Sequence, residues 1–296
     1  MKLAITPSNE DLMLVLFDTD SKKALKIKSD KRGYNKNADD TRPVHRPFGI
    51  TWNKENIFVA SRKNLLVFDD KLTFVDMYED ILDENTHQIT YHKDKIIACM
   101  TREDCIGFFD FTHGVKEFFH PLKGWSKSFE EFENTTENFH INSVNVKDGY
   151  VYIMLHNRGI KHSQILALDL NTRLIVKTIN TPAKRAHGIY LGNKVVGTLN
   201  TEYNNIIMES KEINVNVPDS HFLRGAAGNE EFCFAHFERR LRRYRGEGGS
   251  YIQTIYNSTI KKTNFINDIG AVNDMRRIDG EDFFHNNKYK FPYKEF

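Results

Sequence analysis

The sequence contains little cysteine. Its 296 residues include three cysteines, Cys99, Cys105 and Cys233, without Cys-x-x-Cys spacing. An odd and sparse set of thiols argues against a disulfide framework, and the missing spacing argues against a structural zinc knuckle. A chain of this length buries roughly three quarters of the surface that its unfolded form exposes, so it needs no such cross-links to hold a core.

The sequence also lacks an excess of charge and any long apolar run. Lys and Arg number 42 and Asp and Glu 40, for a net charge of +2, which gives no overall field to attract nucleic acid or an anionic membrane. No segment approaches the roughly 18 apolar residues of a membrane-spanning helix. Glu10 and Asp11 precede any apolar region long enough for a signal peptide. We therefore expect a cytoplasmic protein without nucleic-acid or membrane partners.

Common catalytic motifs are absent as well. The sequence has no glycine-rich phosphate loop, no His-Glu-x-x-His pair, no Gly-x-Ser-x-Gly elbow and no Cys–His nucleophile pattern. These absences argue against most nucleotide-dependent and serine-hydrolase chemistries.

What the sequence does contain is a repeat of short β-rich runs. In its clearest copy, a run starting at His140 is followed by a polar turn and a second run from Gly149, and two further runs start at Ile165 and Leu174. Paired runs around a polar turn are typical of β-hairpins. Equivalent positions recur at intervals that average 44 residues, and blades of four-stranded propellers repeat at roughly 40–50 residues. The equivalent positions are Phe48, His87, His140, His187, Arg224 and Asp268.

The two ends of the chain complement each other. Runs at 2–6, 12–18 and 23–28 have the pattern of second, third and fourth strands, and the run starting at Asp268 supplies a first strand. Pairing the ends would close a ring and hide both sheet edges. We therefore predict an all-β, six-bladed β-propeller over residues 1–296 whose terminal strands share one blade. A β-sandwich followed by a second domain is the alternative.

On this pattern, residues 2–274 resemble the six-bladed β-propeller superfamily that includes NHL-like and senescence-marker-like (gluconolactonase) proteins. The most specific stretch is the run from His140 to Tyr152 followed by Ile165-Leu-Ala-Leu-Asp. The resemblance implies a fold, and propellers host many unrelated activities. The acidic and amide metal ligands of the gluconolactonase branch do not occur at matching positions, so its activity is not implied.

In such propellers the first strand of each blade lines the central channel and begins at the face where ligands bind. His87, His140 and His187 would therefore converge from three successive blades. Neutral imidazoles bind zinc, manganese or iron, and three protein ligands leave a position open for water or substrate. These three histidines could thus hold one divalent metal ion. If no metal is bound, His140 or His187 could act as a general base, and Asp268 would fix the tautomer of that histidine. Imidazoles that only fill a polar channel are a third interpretation.

Turns between second and third strands should open on the same face. With Arg224 they would surround the channel mouth with guanidinium groups, which match carboxylate and phosphate bidentately. We therefore predict an anionic or carbohydrate-like substrate, although solvated turns collect the same residue types. The residues assigned to substrate binding are Arg62, Arg102, Arg158, Glu202, Arg224, Glu238 and Trp125.

Three segments fall outside the repeat pattern or carry unusual charge. The insertion 121–139, which contains Trp125, is either a lid over the mouth or a loop covering one blade. The aromatic segment 280–296 is either a strap over the outer surface of the ring or a partner contact. The run 238–245 contains five arginines, and we place it in the third strand of its blade, paired with nearby acidic residues.

The sequence thus favours a propeller enzyme, a hydrolase or lyase that acts on a small polar substrate by hydrolysis, lactone opening or elimination, with or without a metal. The alternative is a non-catalytic propeller that binds a glycan, peptide or protein. An enzyme should have a narrow pocket around the histidines, whereas a binding module should have a broad aromatic patch over a plugged channel. Oligomeric state is not predicted.

Overall fold

The computed structural model describes residues 1–296 except 30–45, 112, 133–138, 194–195, 210 and 239–243. The described residues form β-strands and two short 3₁₀ turns, Phe129–Phe132 and Asn157–Gly159. No helix in these ranges is long and apolar enough to cross a membrane.

The strands form six antiparallel sheets arranged as the blades of a propeller. Blade 1 contains β1 (Lys2–Pro7), β2 (Leu12–Asp18), β3 (Ala24–Lys28) and, from the other end of the chain, β25 (Val272–Arg277). Blade 2 contains β4 (Pro47–Trp52), β5 (Ile57–Ser61), β6 (Asn64–Phe68) and β7 (Phe74–Tyr78). Blade 3 contains β8 (Thr86–His92), β9 (Lys95–Met100), β10 (Cys105–Asp110), β11 (Val115–His120) and β12 (Gly124–Ser126).

The remaining blades each have four strands. Blade 4 contains β13 (Ile141–Lys147), β14 (Tyr150–Leu155), β15 (Gln164–Asp169) and β16 (Ile175–Asn180). Blade 5 contains β17 (Ala186–Leu191), β18 (Val196–Asn200), β19 (Asn205–Met208) and β20 (Lys211–Asn214). Blade 6 contains β21 (His221–Gly228), β22 (Glu231–Glu238), β23 (Ser250–Tyr256) and β24 (Thr259–Ile266).

The apolar runs of the sequence correspond to strands buried on both faces between neighbouring blades. Every residue of β4 and β5 is buried, whereas the outer strand β16 is almost entirely exposed. Strands buried on both faces need continuous apolar residues rather than an alternating pattern. This is why the inner strands appear in the sequence as short uninterrupted apolar runs.

Blade 1 confirms the predicted closure of the ring. Its innermost strand β25 pairs antiparallel with β1, with Ile5 opposite Met275. The predicted start of this strand at Asp268 is wrong, because β25 begins at Val272. Asp268 and Gly270 instead adopt left-handed backbone conformations, with φ of 56° and 62°, in the turn that precedes it.

The prediction for the arginine-rich run is also wrong. The third strand of blade 6 is β23, which starts at Ser250, and Glu238 is the last residue of the second strand β22. The run therefore follows β22 and does not form the third strand. Its residues 239–243 lie outside the described part of the chain.

The described residues of the insertion lie at the outer edge of blade 3. Its strand β12 pairs with β11 as a fifth strand. The Trp125 ring lies 3.9 Å from the Arg173 guanidinium carbon, and its Nε1 donates to the Arg173 carbonyl, which belongs to blade 4. Up to residue 132, the insertion thus covers the side of the ring, as in the interpretation of a loop covering one blade. Residues 133–138 lie outside the described ranges.

Residues 283–287 of the C-terminal segment lie at the far end of the channel, and its later aromatic residues pack in one cluster with residues of the outer strands β3 and β7. Asn145 Nδ2 donates to the Phe283 carbonyl at 2.8 Å, and Asn287 Nδ2 donates to the Trp52 carbonyl at 2.9 Å. Phe284 and His285 are buried. Because Trp52 and Asn145 lie near the C-terminal ends of their inner strands, the segment closes the channel end opposite the strand starts.

A buried ion pair lies in the channel, between the end at the strand starts and the end that the C-terminal segment closes. Asp274 Oδ2 lies 2.8 Å from Arg276 Nη2, and both side chains are fully buried. The Asp274 carboxylate also accepts from the Ile50 backbone N–H at 3.2 Å and from Gln88 Nε2 at 3.0 Å. Burial raises the pKa of Asp274, and the Arg276 charge opposes that rise. One carboxylate therefore joins the inner strands of blades 1, 2 and 3.

We predict that Asp274→Asn destabilises the fold by about 3–5 kcal/mol, because it leaves the buried Arg276 charge uncompensated. The measurement is the free energy of unfolding in urea. The matched control is Asp20→Asn, which removes an exposed carboxylate that pairs with the N-terminal amine and Lys262, and it should have little effect. If both variants lose an equal and small amount of unfolding free energy, the role assigned to the buried pair is contradicted.

Candidate functional site

A cavity of about 740 Å³ opens at the starts of the inner strands. Four of the side chains that line it are imidazoles: His87, His140, His156 and His187. His87 and His187 are the second residues of β8 and β17, and His140 directly precedes β13. His156 follows β14 in the turn to β15. The repeat thus places one histidine from each of three blades at the same height, with His156 as a fourth.

The four imidazoles form an arc. The ring centroids of His87 and His140 are 5.3 Å apart, those of His140 and His156 are 4.8 Å apart, and those of His156 and His187 are 5.1 Å apart. The Phe48 ring lies 5.5 Å from His87 and extends the arc into blade 2. The histidines are therefore ring neighbours, with His156 between His140 and His187.

Hydrogen bonds fix the two outer histidines in the same way. His87 Nδ1 lies 2.7 Å from both the Asn85 carbonyl oxygen and Thr101 Oγ1. His187 Nδ1 lies 3.0 Å from the Arg185 carbonyl oxygen and 2.8 Å from Thr201 Oγ1. In both histidines, Nδ1 contacts the carbonyl oxygen two residues earlier in the chain and the threonine hydroxyl fourteen residues later. The two blades therefore hold their imidazoles by an identical local pattern.

The backbone around His140 is held by Asp104. Its carboxylate accepts from the N–H groups of Phe139 and Ile141 at 2.9 and 3.1 Å. Between these two residues His140 adopts a left-handed conformation, with φ of 51°, which costs roughly 1–2 kcal/mol for a residue with a side chain. Burial raises the pKa of Asp104 to about 6, although these hydrogen bonds and the Arg158 charge oppose the rise. Asp104 is thus a positioning residue for His140.

The cavity wall is strongly cationic. Among its described residues, Glu202 is the only carboxylate, and Arg185 Nε lies 3.2 Å from one of its oxygens. Arg224 is 6 % exposed, so its charge sits deep in the wall. The arginines are Arg46, Arg102, Arg158, Arg185, Arg224 and Arg245.

Burial and these cations keep three of the four imidazoles, His87, His156 and His187, neutral at pH 7. Burial, followed by the neighbouring His140 and by Arg185 and Arg224, lowers the pKa of His156 to about 3. The pKa values of His87 and His187 are also well below the usual range, first because of burial and then because of neighbours that include Arg224. The cavity therefore combines permanent positive charge with unprotonated imidazoles.

Seven of the residues predicted from the sequence line this cavity: His87, Arg102, His140, Arg158, His187, Glu202 and Arg224. Four do not. Trp125 lies on the side of the ring and Asp268 in an exposed turn. Glu238 lines a smaller pocket of about 210 Å³ at blade 6. Arg62 lies half-exposed in the turn between β5 and β6.

Several lining residues, including His156, are not among those predicted from the sequence. The turn that contains His156 was placed at the correct face, but only Arg158 was assigned from it. A second signal was available in the repeat itself. Arg46, Asn85 and Arg185 each lie two residues before a position already aligned between blades. Since aligned blades repeat their register, the residues at this offset could have been assigned to the same cavity.

The chemistry of the predicted metal ligands, His87, His140 and His187, suits a transition-metal ion, and that site stays a prediction. Imidazoles that donate one ring N–H to a backbone carbonyl are typical metal ligands, and His87 and His187 have such carbonyls at Nδ1. In the ranges the structure describes, however, no three His, Cys, Asp or Glu side chains are grouped closely enough to hold a metal ion. We therefore derive no step through a metal.

Comparisons with known proteins identify structural relatives alone. Neither the protein-family models nor the curated proteins include a match to the chain. Structures similar to it include the nidogen/laminin complex (8% identity, 93% of this chain and 97% of that chain, TM-score 0.60). A Bacteroides caccae protein of unknown function also matches (10% identity, 93% and 97%, TM-score 0.56). So does a catalytically inactive histidine-to-alanine variant of Staphylococcus aureus virginiamycin B lyase with quinupristin (10% identity, 91% and 97%, TM-score 0.53).

The chain is a six-bladed β-propeller. At such low identities the similarities support the fold and leave the activity open. The function must therefore be argued from the cavity.

We predict that Arg224→Gln raises the pKa values of His87, His156 and His187, because it removes a cation that disfavours their protonated forms. Burial, the larger cause, remains, so the values should stay below the usual range. Histidine-ring NMR titration measures this change. The control is Arg173→Gln on the outer edge, which should leave the three titrations unchanged, and an equal response to both variants would refute the assignment.

Proposed function

We propose that the protein is an enzyme that binds a small anionic substrate in the central cavity and transforms it by imidazole acid–base chemistry. The observation that carries this proposal is the lining itself, in which six arginines and four histidines surround about 740 Å³ with a single carboxylate among the described residues. A cavity of this size suits a small organic molecule.

Substrate binding would rest on the arginines. Their planar guanidinium groups donate two parallel hydrogen bonds to a carboxylate or phosphate, and such charge-assisted bonds are about twice as strong as neutral ones. Arg224 is the best placed of them, because its side chain is buried in the cavity wall and its charge acts on His87, His156 and His187. An anion there would replace water around a charge that the fold has already partly dehydrated.

The chemistry would rest on the imidazoles. In its neutral form, His140 or His187 can take a proton from the carbon next to a substrate carboxylate, while an arginine stabilises the negative charge that develops. In an elimination, the electron pair of that C–H bond forms a double bond, and the leaving group departs with a proton supplied by an acid or by water. In hydrolysis or lactone opening, the same imidazole takes a proton from the attacking water and returns it to the oxygen that leaves when the acyl C–O bond breaks. Asp268 has no part in this proposal because it lies outside the cavity.

One structural relative supports a lyase by analogy. Virginiamycin B lyase shares the fold, and its histidine-to-alanine variant is catalytically inactive. Similarity in fold alone is a weak guide to function, so this support is secondary to the cavity lining.

A non-catalytic binding module remains the second candidate. The nidogen/laminin complex, also similar in structure, is an assembly of two proteins. The C-terminal segment closes the far end of the channel, as expected for a plugged binding propeller. The near end, however, holds a concave polar cavity whose lining includes two aromatic residues, Phe48 and Phe222, among those described. This polar lining favours the enzyme.

Anion binding can be tested by calorimetry with succinate, tartrate, gluconate and inorganic phosphate as probes. At least one should bind, and Arg224→Gln should weaken its binding by about 10- to 100-fold, the range for loss of a hydrogen bond to a charged group. Arg173→Gln is the matched control and should bind like the wild type. Binding by none of the probes, or equal binding by both variants, would overturn the anion site.

Elemental mass spectrometry of the wild type and of His140→Ala tests the metal-free mechanism. If an unassisted imidazole is the base, neither protein should contain stoichiometric zinc, manganese or iron. Near-stoichiometric metal in the wild type that is lost in His140→Ala would contradict the imidazole base and point to metal-activated water instead.

A further inference from the structure

The hydrogen bonds of the histidines determine which ring nitrogen carries the proton. A backbone carbonyl can only accept a hydrogen bond, and a backbone N–H can only donate one. His87 Nδ1 and His187 Nδ1 each lie within 3.0 Å of a carbonyl oxygen, from Asn85 and Arg185. Both Nδ1 atoms must therefore carry a hydrogen.

The threonines strengthen this assignment. The Thr101 hydroxyl donates to the Ile141 carbonyl of the next blade, and the Thr201 hydroxyl donates to the Leu223 carbonyl at 2.9 Å. A hydroxyl that donates to a carbonyl offers its lone pairs to the imidazole, so it too accepts from Nδ1. Thr101 and Thr201 thus hold the rings in one tautomer and orientation.

His156 has the opposite tautomer. Its Nδ1 accepts from the Arg158 backbone N–H at 3.1 Å. An Nδ1 that accepts carries no hydrogen, so the ring is neutral and the hydrogen is on Nε2. His156 is therefore an Nε2–H donor, and its ring neighbour His187 has the opposite tautomer.

The Nε2 atoms of His87 and His187 are left for a ligand. Both rings line the cavity, and no described protein group hydrogen-bonds to either Nε2 atom. Since these rings are neutral, each Nε2 presents a lone pair. A simple anion is an acceptor and cannot satisfy these lone pairs, whereas a hydroxyl group can donate to them.

We propose that the cavity recognises a hydroxylated carboxylic acid, whose hydroxyl groups donate to Nε2 of His87 and His187 while its carboxylate pairs with the arginines. This inference rests on the anion site proposed above and names its substrate class. His156, with its Nε2–H, supplies the matching donor for a substrate oxygen. Thr101 and Thr201 are positioning residues, because they act on the ligand through the imidazoles.

The first test is the tautomeric state, read from long-range proton–nitrogen NMR spectra of the histidine rings at pH 7 in metal-free buffer. The expected result is hydrogen on Nδ1 in His87 and His187 and on Nε2 in His156. Free histidine in water prefers hydrogen on Nε2, so the expected pattern is distinctive for the two outer rings. Hydrogen on Nε2 of His87 and His187 would overturn the inference.

The second test compares acids that differ only in their hydroxyl groups. Tartrate should bind at least about tenfold more tightly than succinate, and gluconate at least about tenfold more tightly than hexanoate, because an unsatisfied polar group costs roughly that factor or more. Equal binding within both pairs would overturn the inference and leave the anion site standing. If none of the four acids binds, the anion site itself fails, and the inference fails with it.

Thr101→Val tests the positioning role. It should reduce the preference for tartrate over succinate by about 3- to 10-fold, the range for one neutral hydrogen bond, and it should change the ring-nitrogen shifts of His87. The matched control is Thr51→Val, since Thr51 is a buried threonine that accepts from the Tyr91 backbone N–H away from the cavity. If Thr101→Val alters stability alone, with unchanged preference and shifts, the positioning role is refuted.

Discussion

The structure depends on the way its inner strands are joined by buried polar groups. Six sheets that meet around an axis cannot fill the axis with apolar side chains alone, because the strand edges there present backbone N–H groups that need partners. Asp274 meets this constraint by accepting from blades 2 and 3 while pairing with Arg276 in blade 1. Asn142 does the same between blades 4 and 5, where its Nδ2 donates to the Ala186 carbonyl at 2.9 Å.

This polar axis also explains why the site lies where it does. The C-terminal segment closes one end, with Asp282 accepting from the Gly228 and Phe284 N–H groups to anchor it. Asp282 is buried in this contact, and its burial raises its pKa to about 6. The channel thus becomes a pocket open at the strand starts, where side chains from several blades meet at one depth. A blind polar pocket suits a small ligand better than a broad protein partner.

The sequence predicted the fold well because propeller blades obey local rules. Continuous apolar runs and polar turns repeat with each blade, so the register of one blade predicts the next, and His87, His140 and His187 were aligned on this basis. The predictions failed where one blade departs from that register. Asp268 was aligned by pattern alone, but a left-handed turn delays β25 to Val272. His156 comes from a turn, and its approach to His140 depends on how blade 4 packs in three dimensions.

The cavity combines permanent positive charge with neutral histidine side chains. Arginines attract anions, while the same charges and burial keep the nearby imidazoles from protonating. If an anion binds as proposed, its charge offsets that of Arg224, and the pKa values of His87, His156 and His187 rise towards the usual range. Ligand binding and proton uptake are therefore linked, and each must strengthen the other below neutral pH. An imidazole base whose proton affinity rises when its substrate binds would suit the proton abstraction proposed above.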